Sequence, residues 1–217
     1  MNKIKLTIIM ILIFIISLTS FIFADKIINN KSKETNTTPG NYYISEKVIF
    51  LGDEITKNYN LYAYFDQENL VNQGITSGTI PKVMENLNSA IMLSPKKVVI
   101  MIGVNDLINA NGIDNSIKEN YKNLIDAIRN RSPKTEIIIE SLLPINSEKY
   151  SNLNKDITEF NNYIKSIADL YNLEYIDLWS IFNKKNNSTD SYAKDGINLN
   201  IKGYELITEA LEKYIFK

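Results

Sequence analysis

The sequence predicts an α/β domain: a doubly wound parallel sheet between two layers of helices, the three-layer flavodoxin-like arrangement. Three observations carry that prediction. From Lys47 onward, strand-type and helix-type segments alternate five times. The central strand segments are continuous apolar runs, as expected for strands covered on both faces by right-handed βαβ crossovers. Six of the eight glycines (Gly52, Gly74, Gly78, Gly103, Gly196 and Gly203) fall at strand-end loops or in the last loop. Open α/β sheets bind their ligands beyond those strand ends.

The elements follow in order. "KVIFLG", residues 47–52, is a short buried strand ending at glycine. "EITKNYNLYAYF", 54–65, reads as one helix, and "NLVNQG", 69–74, as the second strand. "TIPKVMENLNSAIML", 79–93, places Pro81 in a first helical turn, with Val83, Met84, Leu87, Ala90 and Ile91 at helical spacing. "KKVVIMIG", 96–103, is the clearest buried strand, and "SIKENYKNLIDAIRNR", 116–131, is an amphipathic helix. "TEIIIESLLP", 135–144, is a strand that stops before Pro144. "NKDITEFNNYIKSIADLYN", 154–172, is a long helix, and "LEYIDLW", 173–179, is a short strand. Asn186-Asn187-Ser188 reads as loop, and "NIKGYELITEALEKYIF", 200–216, closes the chain as a helix.

The amino-terminal part has a different character. Lys3 and Lys5 precede an apolar and hydroxylic run from Leu6 to Phe23, and Ala24 follows. This is the pattern of a secretory signal peptide, and the run is also long enough to serve as an uncleaved membrane anchor. Residues 1–24 are therefore assigned as signal or anchor. The polar stretch 25–46, which carries Pro39-Gly40, reads as a linker, and 47–217 as the folded domain. Either reading of 1–24 puts the domain outside the cytoplasmic membrane, secreted or anchored on its outer side.

Composition narrows the chemistry. The 217 residues carry a net charge of −1, which gives no general attraction to nucleic acid. There is no cysteine, which excludes disulfides and thiol nucleophiles, and there is no histidine. The commonest general base and the commonest metal ligand are thus both missing. Nothing in the sequence calls for a metal or another cofactor.

Four polar blocks stand at the predicted strand ends: "FLGDEIT" (50–56), "NQGITSGT" (72–79), "IGVND" (102–106) and "KDGINLNIKGY" (194–204). In order and spacing they resemble the blocks of the SGNH, or GDSL, hydrolase family. The resemblance covers nearly all of 47–217 and implies a serine esterase or acylhydrolase ancestry, with acyl esters on lipids or carbohydrates as substrates. It also implies roles. Gly74 and Asn105 match the oxyanion-hole donors, and Asp195 matches the acid that orients the base. Glu54 stands at the nucleophile position and Asn198 at the base position.

These last two positions depart from the family pattern. An asparagine amide has no useful basicity near neutral pH, and a glutamate has no hydroxyl to deprotonate. In a serine hydrolase, loss of the serine or the histidine alone costs about 10⁶-fold in rate. The family's acyl-serine mechanism is therefore not expected here. The expected function is a binding module for a small molecule, an acylated glycan or lipid; the alternative is an esterase of altered mechanism using Glu54 and Asp195.

Each candidate also has a structural reading. An acid in the first turn of a helix, such as Glu54, is favoured by ~0.3–1 kcal/mol through the helix dipole alone. The sharper expectation is that the Glu54 carboxylate accepts from Gly74 N–H and the Asn105 amide, as a built-in mimic of an acyl oxyanion. Asp53, Glu54, Asp106 and Asp195 read first as capping or solvated carboxylates. A hard-cation site or a glycosidase-type acid pair are the alternatives, with no supporting spacing. Asn105-Asp106 suits turn formation and polar binding equally. Ser77 reads as an ordinary loop serine. Tyr59, Tyr62, Tyr64 and Phe65 read as core or rim packing, and aromatics beside a cleft also suit sugars or acyl chains.

Overall fold

The computed structural model describes residues 46–185 and 192–216. The expected signal or anchor at 1–24, nearly all of the expected linker at 25–46 and the expected loop at Asn186-Asn187-Ser188 lie outside the described residues. Among the described residues, no helix is long and apolar enough to cross a membrane.

Five strands form one parallel sheet: β1 Val48–Gly52, β2 Leu70–Gly74, β3 Lys97–Met101, β4 Glu136–Glu140 and β5 Glu174–Ile176, in the order β2-β1-β3-β4-β5. Every residue of β1 and β3 is buried. The apolar runs Val48–Leu51 and Val98–Met101 within them suit strands covered on both faces. Burial of each large aliphatic side chain there contributes about 1.5–3 kcal/mol relative to exposure. The helices are α1 Glu54–Lys57, α2 Leu61–Phe65, α3 Ile80–Ile91, α4 Val104–Ala110, α5 Asn115–Arg131, α6 Asn154–Tyr171, α7 Leu178–Lys185 and α8 Ile201–Ile215. Helix α2 packs with α8, whereas α3 packs with α5 and α5 with α6. The chain winds from β1 outward to β2 and then back past β1 to β3. The loops after β1 and β3 therefore flank the reversal of strand order, where doubly wound sheets form their ligand crevice.

The structure departs from the sequence reading at three helices. The single helix expected over 54–65 is two, broken at Asn58-Tyr59-Asn60. The break turns the Tyr59 ring inward, 5.1 Å from the Tyr204 ring, with its hydroxyl 2.6 Å from Thr208 Oγ1. Asn60 restarts the helix by accepting from Ala63 N–H. The carbonyls freed at the break are taken up by β2. Asn72 Nδ2 donates to Thr56 O at 2.6 Å and to Tyr59 O at 2.9 Å. The second departure is α4, a helix that the sequence reading did not place, which carries Asn105 and Asp106; its N-cap is Gly103, whose φ of 132° suits glycine. The third is α7, which replaces the end of the last strand segment because Asp177 accepts from Ser180 N–H at 2.9 Å.

Candidate functional site

The loop after β1 has almost no slack. Gly52 ends the strand, Asp53 caps α1 by accepting from Ile55 N–H at 2.9 Å, and Glu54 opens the helix. The Glu54 carboxylate then reaches across to helix α4 and to the loop after β2. Its Oε2 accepts from Asn105 Nδ2 at 3.1 Å, and its Oε1 accepts from Ser77 N–H. The second N–H of the Asn105 amide goes to Gly78 O at 2.9 Å, so both of that amide's donors are engaged. Ser77 turns its N–H toward Glu54 from a left-handed conformation, φ 49°. Lys57 Nζ to Thr76 Oγ1, 2.5 Å, and Lys82 Nζ to Ser77 O, 2.8 Å, tie down the same loop.

Gly74 does not take the place expected of it. Its N–H donates to Asn72 Oδ1 at 2.8 Å and leaves Glu54 to Ser77, three residues on. The reason is packing. Gly74 pairs with Gly52 at the end of the sheet, and the α1 backbone lies directly over it. A Cβ at Gly74 would fall 2.2 Å from Lys57 N and 2.6 Å from Lys57 Cα. Sequence reading passed over Ser77 because its contribution is a backbone N–H, which every non-proline residue has. The signal that could have found it is the Ser-Gly dipeptide, which marks a tight turn with unusual backbone angles.

Asp195 and Asn198 form a second, self-contained unit. Asn198 Nδ2 donates to Asp195 Oδ2 at 2.8 Å, and the backbone N–H groups of Ile197 and Asn198 donate to Asp195 Oδ1 at 3.1 and 2.7 Å. No hydrogen bond among the described residues joins this pair to Glu54. The two units nevertheless adjoin. Asp53 and Ile197 line one small cavity of about 10 Å³, closed otherwise by apolar side chains including Met101, Leu142 and Ile145.

The four acids fall into two electrostatic classes. Burial pushes the Asp53 carboxyl up to about 7, with the Glu54 and Asp106 charges adding to the effect. Its Oδ2 is buried with no hydrogen-bond partner. Burial likewise raises Asp106 to about 6, although its oxygens accept from Ile80 N–H at 3.0 and 3.2 Å. For Glu54, burial acts upward, but the Ser77 N–H and the Asn105 amide outweigh it and hold the carboxylate below its ordinary range. Asp195 is also lowered: burial again acts upward, and the Asn198 amide and the backbone donors prevail. Hydrogen bonds to a carboxylate stabilise its charged form. The site thus pairs two fixed anions with two acids that keep their protons toward neutral pH. Among the described residues, no group of three or more acids is placed to hold a metal ion.

Known proteins show the same architecture. No curated protein matches the chain. A GDSL-like lipase from Bacteroides thetaiotaomicron is similar in structure, with 21% identity, a TM-score of 0.68, and coverage of 78% of this chain and 87% of its own. A variant of an acetyl xylan esterase from Geobacillus stearothermophilus matches with 19% identity, a TM-score of 0.66, and coverage of 80% of this chain and 95% of its own. At these identities the likeness shows the fold. The sequence profile of the GDSL-like Lipase/Acylhydrolase family matches residues 50–206, most of the chain. The chain therefore belongs to the GDSL-like lipase/acylhydrolase, or SGNH hydrolase, family.

Proposed function

We propose that this protein is a non-catalytic member of its esterase family, working outside the cytoplasmic membrane as a binding module for an acylated glycan or lipid. The observation that carries this reading is the seat of the Glu54 carboxylate on Asn105 Nδ2 and Ser77 N–H. Donors that would stabilise an acyl oxyanion must be free when the substrate arrives. Here the protein's own anion occupies the Asn105 donor, and the Gly74 N–H is committed to Asn72 Oδ1. At the other unit, Asn198 gives its NH₂ to Asp195 and has no lone pair fit to accept a proton. The alternative, an altered mechanism run by Glu54 and Asp195, needs a good base. Both carboxylates are instead made weaker bases by the donors around them. Membership of a lipase/acylhydrolase family supports an acylated ligand, and the esterase neighbour named for acetyl xylan fits the glycan side of it.

The test is hydrolysis of para-nitrophenyl acetate and of acetylated xylan by the full chain, beside the double variant Glu54→Ser/Asn198→His. The natural chain is expected to give no turnover above background. Turnover that vanishes in Glu54→Ala, or stable phosphonylation of a side chain of the natural chain by a fluorophosphonate with loss of fluoride, overturns the reading.

A further inference from the structure

We infer that a neutral oligosaccharide binds in the cleft between the α1–α2 break and the last loop. The inference deepens the binding function proposed above by naming the ligand class, and it locates the ligand away from Glu54. The cleft has a volume of about 570 Å³, within the range of ~300–1,000 Å³ usual for small-molecule sites. Neither Glu54 nor Asn105 lines it. It meets the former reaction centre only through Asp195 and Asn198.

The chemistry of the walls selects the ligand. Four asparagines, Asn58, Asn60, Asn198 and Asn200, face one space. A primary amide offers a carbonyl acceptor and an NH₂ donor side by side, which suits hydroxyl groups that both give and accept hydrogen bonds. The Asn58 side chain is exposed, which leaves its primary amide open to a ligand, while its backbone N–H donates to Glu54 O. Asn60 spends its oxygen on Ala63 N–H and keeps its NH₂ for a ligand. Asn198 does the reverse: its NH₂ is held by Asp195, and its oxygen remains available. The half-buried Tyr64 supplies the aromatic surface, propped at 5.4 Å by Tyr59 and at 6.0 Å by Tyr204.

The same walls disfavour the other candidates. Lys194 and Asp195 are the charged lining residues and cancel each other, so an anionic headgroup gains no net attraction. An acyl chain would need an apolar trough. Of the aliphatic lining, Leu199 is buried in the core, and Ile201 is the exposed one.

Calorimetric titration of the full chain tests the inference, with chitotetraose, xylotetraose, cellotetraose and mannotetraose as probes and mono-octanoylglycerol as the lipid arm. At least one sugar is expected to bind saturably at millimolar concentration or below. Asn58→Ala, at an exposed position, is expected to weaken that sugar about five- to tenfold, the loss of a hydrogen-bonding amide. Met92→Ala, at an exposed residue outside the cleft lining, should leave it unchanged. Heat from none of the four sugars, sugar binding indifferent to Asn58→Ala, or displacement of the sugar by mono-octanoylglycerol each overturns it. Ester hydrolysis is read separately by product release, so the two proposals can fail independently.

Discussion

Asn105 Nδ2 lies 3.1 Å from Glu54 Oε2, and this contact makes Glu54 a structural anchor between the first turns of α1 and α4, the helices that follow β1 and β3. The carboxylate also caps the Ser77 turn and sits in the first turn of α1. Glu54→Gln keeps the size and one acceptor but removes the charge. It is expected to lower stability at neutral pH by about 1 kcal/mol, through weaker hydrogen bonds and the lost helix-dipole term. Because the folded state holds the Glu54 pKa below its ordinary 4.5, the stabilisation is present above that value and disappears as pH falls through the folded one. Urea titrations of the two proteins should therefore differ at neutral pH and converge in acid. A gap that stays constant with pH would assign the effect to shape rather than charge.

The large features of this fold were legible in the sequence for a simple reason. The apolar runs of β1 and β3 and the amphipathic spacing of α3 and α5 express burial directly, and burial is what the sheet and its helix layers require. What could not be read depends on groups that sequence does not display. The break at Asn58-Tyr59-Asn60 exists because a side chain from another strand, Asn72, takes up the freed carbonyls. Ser77 matters through a main-chain N–H and a left-handed φ. The motif at 52–56 revealed an acidic pair but not that Asp53 is sealed from water and keeps its proton while Glu54 beside it ionises. The family resemblance paired Asp195 with position 198, and the structure brings the two together because residues three apart in a tight turn can close an Asx-type bond.

Buried acids give the molecule a second pH dependence, of opposite sign. Glu140, at the end of β4, is pushed up to about 8 by burial, and its Oε1 has no hydrogen-bond partner; Asp53 is held at about 7. In the unfolded chain these groups ionise near 4.5 and 3.8. Between those values and the folded ones the native state carries the extra protons, so stability falls as pH rises and levels off above the folded pKa. Glu140→Gln imitates the protonated form. It is expected to be within about 0.5 kcal/mol of the natural chain at or below the unfolded-state value of 4.5, and more stable by about 1 kcal/mol or more from there into mild alkali. Thermal melts of both proteins across that range provide the check, and parallel curves would mean that Glu140 ionises freely in the folded state.

Gly74 gives the sharpest distinction between a role in binding an oxyanion and a role in packing. Its N–H is committed to Asn72, and the space above its Cα is filled by the backbone of Lys57. Alanine there places a methyl group against main chain, which cannot rotate aside as the end of a flexible side chain could. The strain must move α1 away from β2, and Glu54 rides on the first turn of that helix. Gly74→Ala is therefore expected to cost about 1–3 kcal/mol, as overpacking does elsewhere, with a matching drop in melting temperature. It should also loosen the Glu54 contacts with Asn105 and Ser77, seen as faster amide hydrogen exchange at Ser77. If the variant kept its full stability and Ser77 exchanged no faster, α1 would have to move independently of β2, and packing would not explain a glycine at this position.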